Sequence, residues 1–509
     1  MRRVLKQLSI FFIFSLFSLE FFSCGSTKLT TPEYLNNLDD ENYKVCEKYL
    51  TAKVESKSND NRIRDNFDLA MIKHFQKDYD SSLKILNQTD RLMEDSVTKS
   101  ITKGLAGVFV NDNATEYAAN PYEYVYINVF NALNYYKKGN VEEAAVEIRR
   151  LNEKQRKYLN KYGEWVKNDQ PKIEISDTYK LLKLDPAKVT DSAPAEASPA
   201  DIFRDSATGR YLSIVFGMMD DSVNNSWNVS ADAATLQALN PSFDVAGECS
   251  ISDGKGRLDV LAFCGLIGRR GEKRVIIGPF PGIQFPVGKT WVFVPPFDFE
   301  FVYPAFPAPQ KMLEGMVVPT IGWGPSFTVN PGKNEIIPMP KNQITGIKVV
   351  VSGEKLASPK ELQLNLLEDF NYALQQDVNT KARKAYSRSV KRSLVKKLAG
   401  VAGATTGMIV VQQAIEKDET FLTVAAYAAA YLSSAKIIDQ IDKTETADIR
   451  QVYALPAQSY ASGLELAPGN YNVHIQYLSN NGKVINEEKF QDIQVKSGKT
   501  ILVESLCQK

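Results

Sequence analysis

Histidine is almost missing. The 509 residues contain two, His74 and His474. Imidazole acid–base catalysis and most zinc sites draw on histidine, so both are disfavoured. Cysteine is scarce too, at five residues, and no two of them are spaced Cys-x-x-Cys. That argues against a structural zinc pair or a thioredoxin-like motif. A net charge is also lacking, because 61 Lys and Arg offset 60 Asp and Glu. The chain therefore has no global pull towards nucleic acid. What is present is ordinary for a globular protein: 44% hydrophobic and 24% charged residues. A disordered chain and a polytopic membrane protein are both excluded. At about 100–200 residues per domain, the length allows three or four domains.

The N-terminus is the most specific segment. Arg2, Arg3 and Lys6 precede a largely apolar stretch of 12 residues, Leu8 to Leu19. A membrane-spanning helix needs about 20 residues, whereas a secretory signal core needs about 7–15. The Phe21-Phe22-Ser23-Cys24 that follows resembles a bacterial lipobox, with Phe21 where Leu or Val is usual. The resemblance implies a signal peptide over 1–23, lipidation of Cys24 and a membrane anchor in the cell envelope. Two or three acyl chains would hold stably where one is marginal. Gly25 rather than Asp follows the cysteine, which favours the outer membrane. Removal of 1–23 would shift the net charge from +1 to −1.

After a tether and first helix over 24–60, the spacing predicts helical hairpins over 61–165. Phe67, Ala70, Met71, His74 and Phe75 recur at three and four. Leu83, Leu86 and Leu92 follow a break at 77–80. A second hairpin turns at Lys138-Gly139-Asn140, between Ala132, Leu133 and Tyr136 on one side and Ala144, Ala145, Ile148 and Leu151 on the other. The small residues and turn glycine resemble tetratricopeptide repeats. Ala70, Lys77 and Ser82 match the same spacing without the glycine. An extra helix is expected near 97–110, and a degenerate hairpin over 201–240.

The remaining segments change character. Residues 166–200 read as a linker. Residues 241–351 read as a Pro- and aromatic-rich β region, with a hairpin expected around 253–256. The stretch 278–309 holds eight prolines and nine aromatics, which excludes a regular helix and a central strand. Residues 360–440 return to helix. Lys381 to Lys397 carries eight basic residues and no acid. An Ala-rich helical pair is expected over 398–415 and 421–435. Tyr471, Val473, Ile475 and Tyr477 alternate within a final β-sandwich domain over 452–506. The fold class expected is α+β.

The stretch from Tyr122-Glu123-Tyr124 to Gln155, with Ala447-Asp448 and Leu455-Pro456, resembles a family of uncharacterised bacterial lipoproteins. That resemblance implies a helical-repeat half, an Ala-rich helical pair and a C-terminal strand domain in the envelope. It implies no catalytic residues.

Candidate sites follow. Glu147, Arg149, Arg150, Asn152 and Gln155 on one helix suggest a groove gripping a partner peptide. Glu147 and Arg150 also fit a plain i,i+3 pair. The basic stretch 381–397 suggests either an anionic lipid surface or a face laid over a helical core. Gly288-Lys289-Thr290 and Gly498-Lys499-Thr500 lack the earlier glycine of a phosphate loop, since Ile283 and Ile493 stand there. Neither a cofactor nor a metal site is expected. The reading is a lipid-anchored envelope adaptor with a protein partner and no nucleic acid. The alternatives are a cell-wall enzyme or an activator of one, and a purely structural lipoprotein.

Overall fold

The computed structural model describes residues 31–56, 59–102, 116–168, 172–173, 186–219, 229–245, 250–280, 283–287, 290–294, 297–307, 337–415 and 446–509. For 97–102, 278–280, 283–287, 290–294, 297–298 and 395–415 only the backbone path is described. The expected signal, Cys24, Cys249 and the second helix expected over 421–435 lie outside these residues.

The helical half opens with α1 (Thr31–Asp39), α2 (Tyr43–Val54), α3 (Arg62–Phe75), α4 (Tyr79–Thr102), α5 (Pro121–Lys137) and α6 (Val141–Lys154), each packed on the next. The α3–α4 turn passes through Lys77 at φ +63° and the α5–α6 turn through Gly139 at φ +81°. Glycine reaches that region without strain and lysine does not. Residues 97–102 of the helix expected over 97–110 continue α4, which runs unbroken past Leu92, and 103–110 lie outside the described residues. The α6 helix continues through a π turn, Gln155–Leu159, into α7 (Asn160–Asn168). After α8 (Pro186–Asp191), α9 (Ala207–Met219) crosses α6 at Gly209. A Cβ there would lie 2.8 Å from Leu151 Cδ2, so a larger residue at this crossing would push the Leu151 side chain aside. The next helix, α10 (Val229–Leu239), packs on α9.

The strands are β1 (Gly256–Cys264), β2 (Gly271–Phe280), β3 (Ile283–Val287), β4 (Thr290–Val294), β5 (Phe297–Ala305), β6 (Ile344–Ser352), β7 (Lys360–Gln363), β8 (Asn365–Asp369), β9 (Gln458–Leu466), β10 (Gly469–Ser479), β11 (Val484–Val495) and β12 (Thr500–Cys507). Between β8 and β9 runs α11 (Phe370–Ile415). One four-stranded sheet has the order β12-β1-β9-β8 and the other β11-β10-β6-β7. The sandwich therefore draws β1 and β6–β8 from the middle of the chain and is not built from 452–506 alone. The hairpin expected around 253–256 is also absent. A turn at Ser252–Lys255 leads into β1, whose partners are β12, in parallel, and β9. Prolines 279, 286 and 304 fall in the ribbons β2–β5 and β3–β4. Each ribbon is two-stranded, so no proline occupies a central strand.

Three layers result: helices, the β1 sheet and the β10 sheet. All nine residues of β1 are buried. Its Leu258, Val260, Ala262 and Cys264 face the sandwich core, with Tyr471, Val473, Ile475 and Tyr477 of β10. Its Leu261 and Phe263 face the helices and join a core that includes Phe67, Ile127, Phe130 and Leu151. A third cluster packs Ala382, Tyr386, Val390 and Leu394 of α11 on Phe299 and Phe301 of β5. No described helix is long and apolar enough to cross a membrane.

Candidate functional site

The inner face of the helical array meets an irregular segment of the chain itself, residues 446–457. Positions 451–457 are all buried. Their backbone is held by carboxylates from two helices. Tyr453 N–H and Ala454 N–H both donate to Asp68 Oδ1 on α3, each at 2.8 Å. Val452 N–H donates to Glu123 Oε1 on α5, also at 2.8 Å. The opposite side of the segment bonds to the loop after β1. Gln451 Nε2 donates to Gly268 O at 2.8 Å, and Ile267 N–H donates to Leu455 O at 2.8 Å.

Glu123 is fixed by its place in the helix. Asn120 caps α5, Pro121 opens it, and the Asn120 N–H donates to Glu123 Oε2 at 2.9 Å. This is the reciprocal capping arrangement. The Tyr117 hydroxyl donates to the same oxygen at 2.6 Å. Asp68 is fully buried, and burial pushes its carboxyl up to about 7 despite the Ala454 amide and Arg64 holding it down. Nearby, Arg270 pairs with Asp377 at 3.0 Å, and Lys381 reaches the other Asp377 oxygen at 2.8 Å.

A second buried relay joins α3, α4 and α5 to the last strand. The Ser82 hydroxyl donates to Ala70 O at 2.8 Å and accepts from Asn134 Nδ2 at 2.8 Å. Asn134 Oδ1 therefore faces His74 Nδ1, at 2.7 Å. His74 Nε2 lies 2.9 Å from Glu504 Oε1, and Lys137 Nζ lies 3.4 Å from Glu504 Oε2. Burial would raise the Glu504 carboxyl, but Lys137 and His74 hold it at about 2. Both ring nitrogens thus meet acceptors, and the imidazole is a strut between layers. The other histidine, His474 on β10, faces Glu487 at 2.9 Å near the surface.

No protein-family model, curated protein or solved structure matches this chain.

The five residues expected to line a peptide groove part company. Glu147 is 4% exposed and accepts from Asn128 Nδ2 at 2.7 Å and Arg150 Nη1 at 3.0 Å. Asn152 Nδ2 donates to Ser213 on α9 at 3.3 Å. Gln155 is buried and bonds Asp205 and the Ser206 N–H. Arg150 lies 3.8 Å from Asp90 and stays partly exposed. These four form an interhelical seam rather than a groove. Their spacing puts them on the stripe of Ala144, Ile148 and Leu151, which turns inward. Arg149 alone faces outward, on a stripe with Glu142, Val146 and Glu153.

The basic stretch of α11 is likewise drawn inward over the residues whose side chains are described. Arg383 donates to Pro194 O at 3.0 Å, the Lys384 ammonium sits 4.2 Å from the Trp165 ring centre, and Arg392 is 3% exposed. Over 381–394 the helix packs on its neighbours, with Lys391 exposed; the side chains of Lys396 and Lys397 lie outside those described.

Asp68 and Glu123 were missed by reading the sequence. Both left a signal. Asp68 is a carboxylate inside the apolar run Phe67 to Ile72. Glu123 stands three places after an Asn-Pro helix start, the position of a capping-box acid.

Proposed function

We propose that this chain is a lipid-anchored envelope scaffold that binds a protein partner on the outward face of the α6–α7 helix. The inner face of the array is filled by residues 451–457 and by Leu261 and Phe263, which supports recognition through the outer face. There Val146 is 42% exposed, amid Glu142, Arg149, Glu153 and Arg156. An apolar centre in a charged rim is a common layout for a modest, non-obligate interface. The π turn that follows offers a further irregular feature of the kind that gathers at functional positions. Lipidation at Cys24 would hold this surface at a membrane of the cell envelope.

The test is crosslinking in intact cells, followed by identification of the captured proteins. The native chain is compared with Val146→Asp/Arg149→Glu, whose exposed positions should change stability by about 0.5 kcal/mol or less. The expected result is loss of one specific envelope partner with an unchanged melting curve. Identical partners for both proteins would rule out this face.

A further inference from the structure

Cys264 ends β1 and Cys507 ends β12, and the two are register partners across the parallel ladder. The pairs inward of them, Val260↔Val503 and Ala262↔Ser505, alternate onto the same face. Cys264 and Cys507 therefore project together into the sandwich core, where both are 2% exposed. Both are free thiols in the structure, on paired strands whose usual ~4.8 Å spacing falls inside the ~4.4–6.8 Å Cα window of a disulfide. The backbone is clamped at this point, because Gly265 N–H donates to Cys507 O at 2.9 Å. Cys46 belongs to the helical core instead, buried beside Asp68.

We propose that Cys264 and Cys507 form a structural disulfide that staples the final strand to the centre of the sheet. The proposal rests on export, since an oxidising compartment is where such bonds persist. The two thiols transfer two electrons and two protons to a disulfide reagent of that compartment, a thiol oxidase or a glutathione disulfide. The Sγ–Sγ bond forms, and the reagent leaves as two thiols. Burial pushes the Cys264 thiol up to about 12, so little thiolate exists once the strand has docked. With both side chains 2% exposed, an oxidant reaches them more readily before β12 docks than after.

The test uses full-length protein from fractionated cells, quenched in acid, alkylated under denaturing conditions and digested without reduction. Mass spectrometry is expected to find the Cys264 and Cys507 peptides joined, about 2 Da below the sum of the two thiol peptides. Cys46 should be alkylated in every sample, and in Cys507→Ser the Cys264 peptide should be alkylated as well. Alkylation of both cysteines in envelope-derived native protein overturns the pairing. So does a Cys249–Cys264 link. A second arm refolds the reduced native chain in a glutathione redox buffer. Should the protein be found in the cytosolic fraction, export fails and this arm decides alone. A 264–507 link there upholds the pairing, and its absence ends it.

Discussion

Asp68 lies in an apolar stretch of α3 and uses one oxygen to hold two backbone amides of the buried segment. Burial raises its carboxyl to about 7 in the fold, whereas an aspartate in an unfolded chain titrates near 3.9. Between these values the folded chain keeps a proton that the unfolded chain has released. The contribution to stability is thus complete below about pH 4, and it is lost as pH rises through about 7. The slope is at most about 1.4 kcal/mol per pH unit. Asp68→Asn keeps an acceptor oxygen for both amides and removes the titration. Urea unfolding at about pH 5 and about pH 8 should show the native chain losing roughly 2–3 kcal/mol more than the variant. Parallel losses would mean that Asp68 does not carry this proton. Glu147 teaches a related lesson about side-chain direction. Its charge suggests a surface, but its place between Ala144 and Ile148 and Leu151 puts it on the buried stripe. Position outweighs charge because Asn128 and Arg150 compensate the carboxylate there.

The helical hairpins make the same sharp reversal with different residues. Gly139 takes φ +81° at one turn, and Lys77 takes φ +63° at the other. A side chain in that region costs roughly 1–2 kcal/mol, less what glycine loses in the unfolded chain. Lys77 gains an ion pair with Glu488 at 2.9 Å, but the lysine is 68% exposed, so solvent screens it. Lys77→Gly should therefore stabilise the protein by about 0.5–1 kcal/mol, and Gly139→Ala should destabilise it by about 1 kcal/mol. Thermal or urea melts of the two variants check both signs. Opposite signs would mean that these turns are not what limits the hairpins. Elements of this kind were legible in the sequence because their cause is local. The turn glycine, the spacing of Ala132 and Ala144, and the alternation of Tyr471 to Tyr477 all act within a few residues. The pairing of β1 was not legible. Its nine residues are buried on both faces, so no alternation marks its sheet side, and its partners β9 and β12 lie far along the chain. The seam from Asn128 to Ser213 depends on which helices meet, and spacing along a single helix does not report that.

The molecule as a whole is joined where a reading by segments would divide it. Leu502 of β12, Phe263 of β1 and Val452 to Leu455 belong to the same apolar core as Phe67 and Ile127 of the helices. The polar links run the same way. Glu504 of β12 meets His74 of α3, and the Tyr136 hydroxyl on α5 accepts from the Leu502 N–H at 3.0 Å. A helical half taken alone would present that apolar face to water and leave the Asp68 and Glu123 carboxylates without the amides they accept from. Water would rehydrate those carboxylates, so the loss is mainly apolar burial, about 1.5–3 kcal/mol for each large side chain uncovered. Whole-domain stability is only about 5–15 kcal/mol, so uncovering several of them exceeds what a fragment can bear. Expression of residues 31–245 alone should therefore give a chain with helical far-ultraviolet circular dichroism but no cooperative melt. The chain from residue 31 onward should unfold in one transition by circular dichroism and calorimetry alike. A fragment that melts cooperatively would show that the helices carry their own core. The segment 446–457 would then be a docked ligand of the array rather than part of its interior.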